Sequence, residues 1–147
     1  MLSSEEINNL ISKSISAREN AFAPRSDHKI GACVLMSDGS YFEGCNIEGI
    51  ISGLGVCAER AAIDHAVLHG KYEIKAICTV DAEHLFPCGV CLQYLFEFLQ
   101  INNEEITVIA SDIKRDFKIK VLTELLPNGY LTKNPHNLEN FSRYKGR

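Results

Sequence analysis

A chain of 147 residues with 46% hydrophobic content and no proline-rich or glycine-rich tract can bury one good core and is too short for a second. Its net charge of -4 argues against broad electrostatic capture of nucleic acid or of an anionic membrane surface, so neither polymer nor membrane is expected as a partner. The amino-terminal run Met1-Leu2-Ser3-Ser4-Glu5-Glu6 has no basic region followed by an apolar one, and no stretch approaches the roughly 18 to 20 apolar residues of a membrane span, so a cytoplasmic location is expected.

Ser3 and Glu6 form a capping box ahead of Ile7, Leu10, Ile11 and Ile15, whose spacing predicts a helix from about Glu5 to Arg18 with one packing face. Asn20 to Ser26, with Pro24 inside it, reads as a loop. Lys29–Met36 and Tyr41–Asn46 are strand-like runs joined by the turn residues Ser37-Asp38-Gly39-Ser40, which makes a hairpin in which Gly31 and Gly44 suit close backbone approach or simple irregularity. Residues 49–56 hold three glycines but lack the Gly-Lys-Ser/Thr ending of a phosphate-binding loop. A second helix should open around Cys57 and stop at Gly70, followed by a strand over Ile74–Val80, a loop over Asp81–Pro87 and a third helix from near Cys88. That third helix turns Leu92, Leu95, Phe98 and Leu99 to the core. Ile106–Ala110 and Phe117–Val121 read as two more strands, and Leu122–Leu126 as a last short helix stopped by Pro127-Asn128-Gly129. Strands alternating with helices predict an α/β layered fold of about five strands. The polar tail from Leu131 is expected to be loosely ordered or held by another subunit.

Six cysteines are distributed unlike a disulfide framework. Cys33, Cys45 and Cys78 lie in strand-like runs, where a reduced cysteine acts as a small hydrophobe. Cys57, Cys88 and Cys91 are better read as metal ligands: three thiolates can hold one Zn²⁺ and leave one tetrahedral position open, as a catalytic site requires. Cys88 and Cys91 share a helix face, Pro87 suits a helix start, and helix dipoles at Cys57 and Cys88 favour thiolates. Three thiolates on one Zn²⁺ leave a formal charge of about -1, which Arg60 can offset. Glu59 is the candidate proton carrier, although residues two apart in a regular helix point to different faces. Cys-x-Glu followed by Pro-Cys-x-x-Cys is the signature of zinc-dependent nucleobase and nucleoside deaminases. Other readings are a closed structural zinc site completed by His84, an ordinary first-turn carboxylate for Glu59 and another ion pair for Arg60. His65 and His69, four apart, read as a solvent-facing pair and not as metal ligands.

Taken together, Ala21-Phe22-Ala23-Pro24, Ile30-Gly31-Ala32, Asn46-Ile47-Glu48, Cys57-Ala58-Glu59-Arg60, Pro87-Cys88-Gly89-Val90-Cys91 and Glu124-Leu125-Leu126-Pro127 resemble the small, three-cysteine, homotetrameric cytidine deaminases. The resemblance implies a three-layer fold with a central five-stranded mixed sheet flanked by helices, as one catalytic domain over residues 1–130 with a polar tail over 131–147. It implies one zinc per subunit on Cys57, Cys88 and Cys91, and hydrolysis of cytidine or deoxycytidine to uridine or deoxyuridine and ammonia, with Glu59 carrying protons. It further implies that Asn46 and Glu48 hold the ribose hydroxyls, that Phe22 and neighbouring subunits close the site, and that a homotetramer shares its active sites. The chain departs from the family at Arg25-Ser26-Asp27-His28 in place of Tyr-Ser-x-Phe, at Gly49-Ile50-Ile51-Ser52, and at Leu92 in place of an arginine; Gln93 keeps to the pattern. His28 then becomes a pocket residue with a flat face and a polar edge. The departures leave open a modified or related aminopyrimidine nucleoside as substrate, or a non-catalytic zinc-stabilised module that binds nucleosides.

Overall fold

The computed structural model describes residues 1–51 and 53–147, with Asn102 described by its backbone alone; the departure at Ser52 lies outside the described residues. The chain runs α1 (Ser4–Arg18), β1 (Gly31–Met36), β2 (Tyr41–Cys45), α2 (Ala58–Leu68), β3 (Ile74–Val80), α3 (Gly89–Asn102), β4 (Thr107–Ser111), β5 (Phe117–Val121), α4 (Leu122–Leu125) and α5 (Pro135–Ser142). The strands form one sheet in the order β2-β1-β3-β4-β5, in which β3 and β4 pair in parallel and the other neighbours are antiparallel. A parallel pair needs a crossover, and α3 supplies it.

The capping box is present as read: the Ser3 hydroxyl accepts from the Glu6 amide at 3.1 Å, and Glu6 Oε2 accepts from the Ser3 amide at 2.8 Å. From that start α1 lays Leu10 and Ile11 against Cys33, Leu35, Cys78 and Val80 on one face of the sheet. On the other face Ala58, Ala62, Ile63 and Ala66 of α2 and Leu92, Leu95, Phe96 and Leu99 of α3 bury Val34, Ile77 and Val108. Alternation along β3 sorts its side chains: Ala76, Cys78 and Val80 meet α1, while Ile77 faces α2 and α3. The expected three-layer architecture with a five-stranded mixed sheet is therefore the one observed.

At Gly44 two layers meet backbone to backbone. A Cβ there would stand 2.3 Å from the Ala62 nitrogen and 2.6 Å from the Ala58 oxygen, so α2 lies directly on the β2 backbone. Cys33 and Cys78 pair across β1 and β3 as free, fully buried thiols, and burial pushes both up, that of Cys78 to about 12.

Cys57 and Cys88 mark helix starts as expected, each as the extended N-cap residue, at φ -69, ψ 150 and φ -66, ψ 164, so the helices begin at Ala58 and Gly89. One expectation is corrected. The tail is not loose: Asn134 caps α5 by accepting from the His136 amide, and Pro135 occupies its first turn. Leu138, Phe141 and Tyr144 recur at spacing three and give the segment an apolar stripe, with Tyr144 packed edge-on against Tyr72 at 4.8 Å. Among the described residues no helix is long and apolar enough to cross a membrane.

Candidate metal centre and substrate cavity

The N-termini of α2 and α3 meet beside the end of β3, and this junction gathers the sulfurs. The Sγ atoms of Cys57, Cys88 and Cys91 all lie within 4.8 Å of one another. Cys88 and Cys91 are 3.7 Å apart, which is far from a disulfide but is close to the edge of a tetrahedron with Zn–S arms of about 2.3 Å, about 3.8 Å. The donor set and its spacing therefore fit one Zn²⁺. His84 is not part of this cluster.

These cap positions explain how Cys57 and Glu59 converge. An extended residue followed by the first helical turn does not follow helical spacing, so a ligand at the cap and a carboxylate at the second helical position can serve one centre. Glu59 is 6% exposed, and its Oε2 accepts from Cys91 Sγ at 3.5 Å. Cys88 and Cys91 meet by the same device, as the cap and third helical position of α3.

Cys57 and Cys91 hold their protons unequally. The hydrogen bond from Cys91 pulls the Cys57 thiol down to about 6, against burial and the Glu59 charge and with help from the Arg60 guanidinium. That same bond, with burial, pushes Cys91 far above the ordinary thiol range. Burial works against the Arg60 charge, but Cys57 and Cys91 outweigh it and raise its pKa. Arg60 also donates Nη2 to the Gly55 carbonyl at 3.3 Å, which ties the preceding loop to α2.

A cavity of about 670 Å³ opens from this centre, with Cys57, Cys88 and Glu59 at one end and Arg25, Ser26, His28, Asn46 and Glu48 along a wall. Asn46 is nearly buried and works within the protein: Oδ1 accepts from the Ile30 amide at 2.8 Å, and Nδ2 donates to the His28 carbonyl at 2.9 Å. One Nδ2 proton and one Oδ1 lone pair remain for another partner. Glu48 accepts from the Arg25 and Ser26 amides and from the Ser26 hydroxyl, and these bonds, the hydroxyl first, hold its carboxyl below the usual range. Phe22 is 58% exposed and is not among the lining residues; its backbone joins the wall by accepting from the Glu48 amide and donating to the Asn46 carbonyl. Leu92 is 6% exposed in the core cluster, away from the cavity.

Sequence reasoning missed Thr79 and Asp81, both buried and both lining the cavity where β3 ends. Asp81 Oδ1 accepts from the Glu83 and Leu85 amides at 2.8 and 3.2 Å, which folds the loop that delivers Phe86 and Cys88 to the site. The available signal was a polar residue at the end of an otherwise apolar strand, just before the cysteine pair.

Residues 4–106 match the family described as the cytidine and deoxycytidylate deaminase zinc-binding region. A cytidine deaminase of Sporosarcina psychrophila is 36% identical over 127 residues, covering 85% of this chain and 91% of that one. One of Halalkalibacterium halodurans is 37% identical over 123 residues, with 82% and 91% covered. The crystal structure of cytidine deaminase from Burkholderia pseudomallei superposes with a TM-score of 0.78 at 33% identity, covering 88% of this chain and 100% of that one. That from Mycobacterium tuberculosis gives 0.71 at 30%, with 85% and 97% covered. The three-cysteine cluster on two helix N-termini thus lies in a stretch that matches a zinc-binding region, on a fold shared with these cytidine deaminases. The chain belongs to the zinc-dependent cytidine and deoxycytidylate deaminase family.

Proposed function

We propose that the protein catalyses hydrolytic deamination of cytidine and deoxycytidine to uridine or deoxyuridine and ammonia, a step of pyrimidine salvage. The observation that carries this is the buried Glu59 carboxylate 3.5 Å from Cys91 Sγ, because a zinc site that serves only the fold has no use for an uncapped carboxylate against its ligands. Cys57, Cys88 and Cys91 would hold one Zn²⁺, which when bound supplies Lewis acidity and makes water a competent nucleophile near neutral pH. Glu59 takes the proton of the attacking water, delivers one to N3 of the pyrimidine and then one to the departing amine. Arg60 holds the Cys57 end of the centre electrostatically.

Asn46 and Glu48 take the sugar hydroxyls, and His28 lies along the base. Phe22, with residues from neighbouring subunits, closes the site in a homotetramer; the exposed Phe22, Ile50, Ile51 and Leu54 support burial between subunits. The net charge of -4 supports a free nucleoside and not a polymer as substrate, in the cytoplasm. A second reading, a modified aminopyrimidine nucleoside as substrate, is favoured by Arg25 and His28, which put a cation and a polar ring on the cavity wall. Zinc-loaded protein followed in the ultraviolet with cytidine, deoxycytidine, 5-substituted cytidines and cytosine tests both. No conversion of any of them removes the enzymatic reading, and conversion of cytosine as fast as cytidine removes the sugar contacts.

A further inference from the structure

The loop between α1 and β1 spends its polar groups on two residues that follow β2. Glu48 is bonded at both oxygens: the Ser26 hydroxyl donates to Oε1, and the Arg25 and Ser26 amides donate to Oε2 at 2.8 and 3.2 Å. The same Ser26 Oγ accepts the His28 amide at 3.0 Å. Asn46 fastens the far side, between the His28 carbonyl and the Ile30 amide. A hydroxyl has one proton to give and two lone pairs, so with its proton committed to Glu48 and a lone pair to His28 its orientation is determined. Ser26 thus touches both the carboxylate at the proposed sugar end of the cavity and the backbone that carries the ring on its wall.

We infer that Ser26 is a positioning residue for nucleoside recognition, locking the Glu48 carboxylate and the His28 wall into one unit before substrate arrives. The inference rests on the sugar-binding role proposed above for Glu48. Removing the hydroxyl frees Oε1 and leaves the His28 amide without its acceptor, while both amide bonds to Oε2 remain. Glu48 stays in place but loses its aim. Because the sugar is remote from the reacting carbon, the loss falls on binding common to substrate and transition state, so KM rises more than kcat falls.

The test is steady-state kinetics of the zinc-loaded enzyme with cytidine and 3′-deoxycytidine for Ser26→Ala, Ser26→Thr, Glu48→Ala and the double variant Ser26→Ala/Glu48→Ala. Ser26→Ala should raise KM for cytidine about 3- to 10-fold with a much smaller change in kcat. Ser26→Thr, which keeps the hydroxyl, should recover most of the loss. The double variant should be no worse than Glu48→Ala alone, and the preference for cytidine over 3′-deoxycytidine should shrink in Ser26→Ala. If Glu48→Ala raises KM while Ser26→Ala does not, or if the two losses add in full, the latch is wrong and the sugar assignment stands. If Glu48→Ala itself leaves KM for cytidine unchanged, the sugar assignment falls and the inference falls with it.

Discussion

Gly44→Ala probes how the sheet holds the active-site helix. The added Cβ would lie 2.3 Å from the Ala62 nitrogen, whereas ordinary contact begins near 3.4 Å, so one partner must retreat by about 1 Å. Neither can retreat alone, because both are backbone: Gly44 is bonded into the β1–β2 ladder opposite Ala32, and Ala58 and Ala62 belong to the first turns of α2. The strain therefore moves the helix, and with it Glu59 and the capping Cys57. Overpacking of this kind costs about 1–3 kcal/mol. At about 2–4 °C per kcal/mol for a chain near this size, melting should fall by about 2–12 °C. A displacement of about 1 Å at a proton-carrying group costs about 100-fold in rate. The control is Gly89→Ala in the first turn of α3, beside Cys88, where a Cβ meets nothing within 4 Å. That variant should hold its melting temperature or gain slightly, since alanine restricts the unfolded chain. Thermal melts, zinc content and kcat/KM for cytidine read all three effects. A Gly44→Ala protein that melts within 1 °C of the parent and turns over within about twofold of it would refute the argument that strand contact positions the site.

Glu59→Gln should keep one zinc per chain and an unchanged fold while kcat falls about 10²- to 10⁴-fold; turnover within a few fold would remove Glu59 from proton transfer. In metal-free protein Cys57 should be the first of the three ligands to be alkylated, its rate rising as pH passes about 6, and zinc should protect it. Peptide mass mapping after a pulse of iodoacetamide gives the order, and first modification of the buried Cys91 would contradict it. Lys71, at 2.7 Å, and Ser40 hold the Asp38 carboxyl well below its usual range. A lowered folded-state pKa means that the stabilisation is present above the unfolded carboxylate pKa of about 3.9 and is lost as pH falls below it. Asp38→Asn should therefore lower the urea midpoint at pH 6 modestly and flatten its decline between about pH 4 and pH 2; parallel curves would show that the pair contributes nothing.

What the chain disclosed beforehand follows from the range of the interactions involved. Helix and strand periodicity is local, so α1, the β1–β2 hairpin and β3 were legible to within a residue or two. The cysteine trio was legible because thiolate spacing at helix starts is itself a local pattern. That Cys57 and Cys88 are caps was not, since cap and first helical residue differ only in one ψ angle. Glu59 looked misdirected for this reason alone. The α5 stripe of Leu138, Phe141 and Tyr144 was masked by the polar residues between them, and its partner Tyr72 lies far away in sequence. Asp81 is the clearest loss, because its work is done with two backbone amides whose approach no composition encodes.

The two halves of the site differ in what fixes them, and this bears on where substrate choice can change. The metal half hangs on helix caps backed by the core: Cys91 is fully buried, and Leu92 next to it packs among Leu95, Phe96 and Val108, so an arginine in its place would have to leave that cluster or bury a charge in it. On the proposed reading, compensation of the thiolates would rest with Arg60, which already lies against Cys57 and reaches the Gly55 carbonyl. The half proposed to take the sugar is built from an exposed loop held by hydrogen bonds to Asn46 and Glu48, with little apolar burial behind Arg25, Ser26 or His28. Substitutions there leave the core and the thiolates undisturbed. The residues that depart from the family at positions 25 and 28 lie on this loop, so the chain can alter what it accepts without altering how it would carry out the reaction.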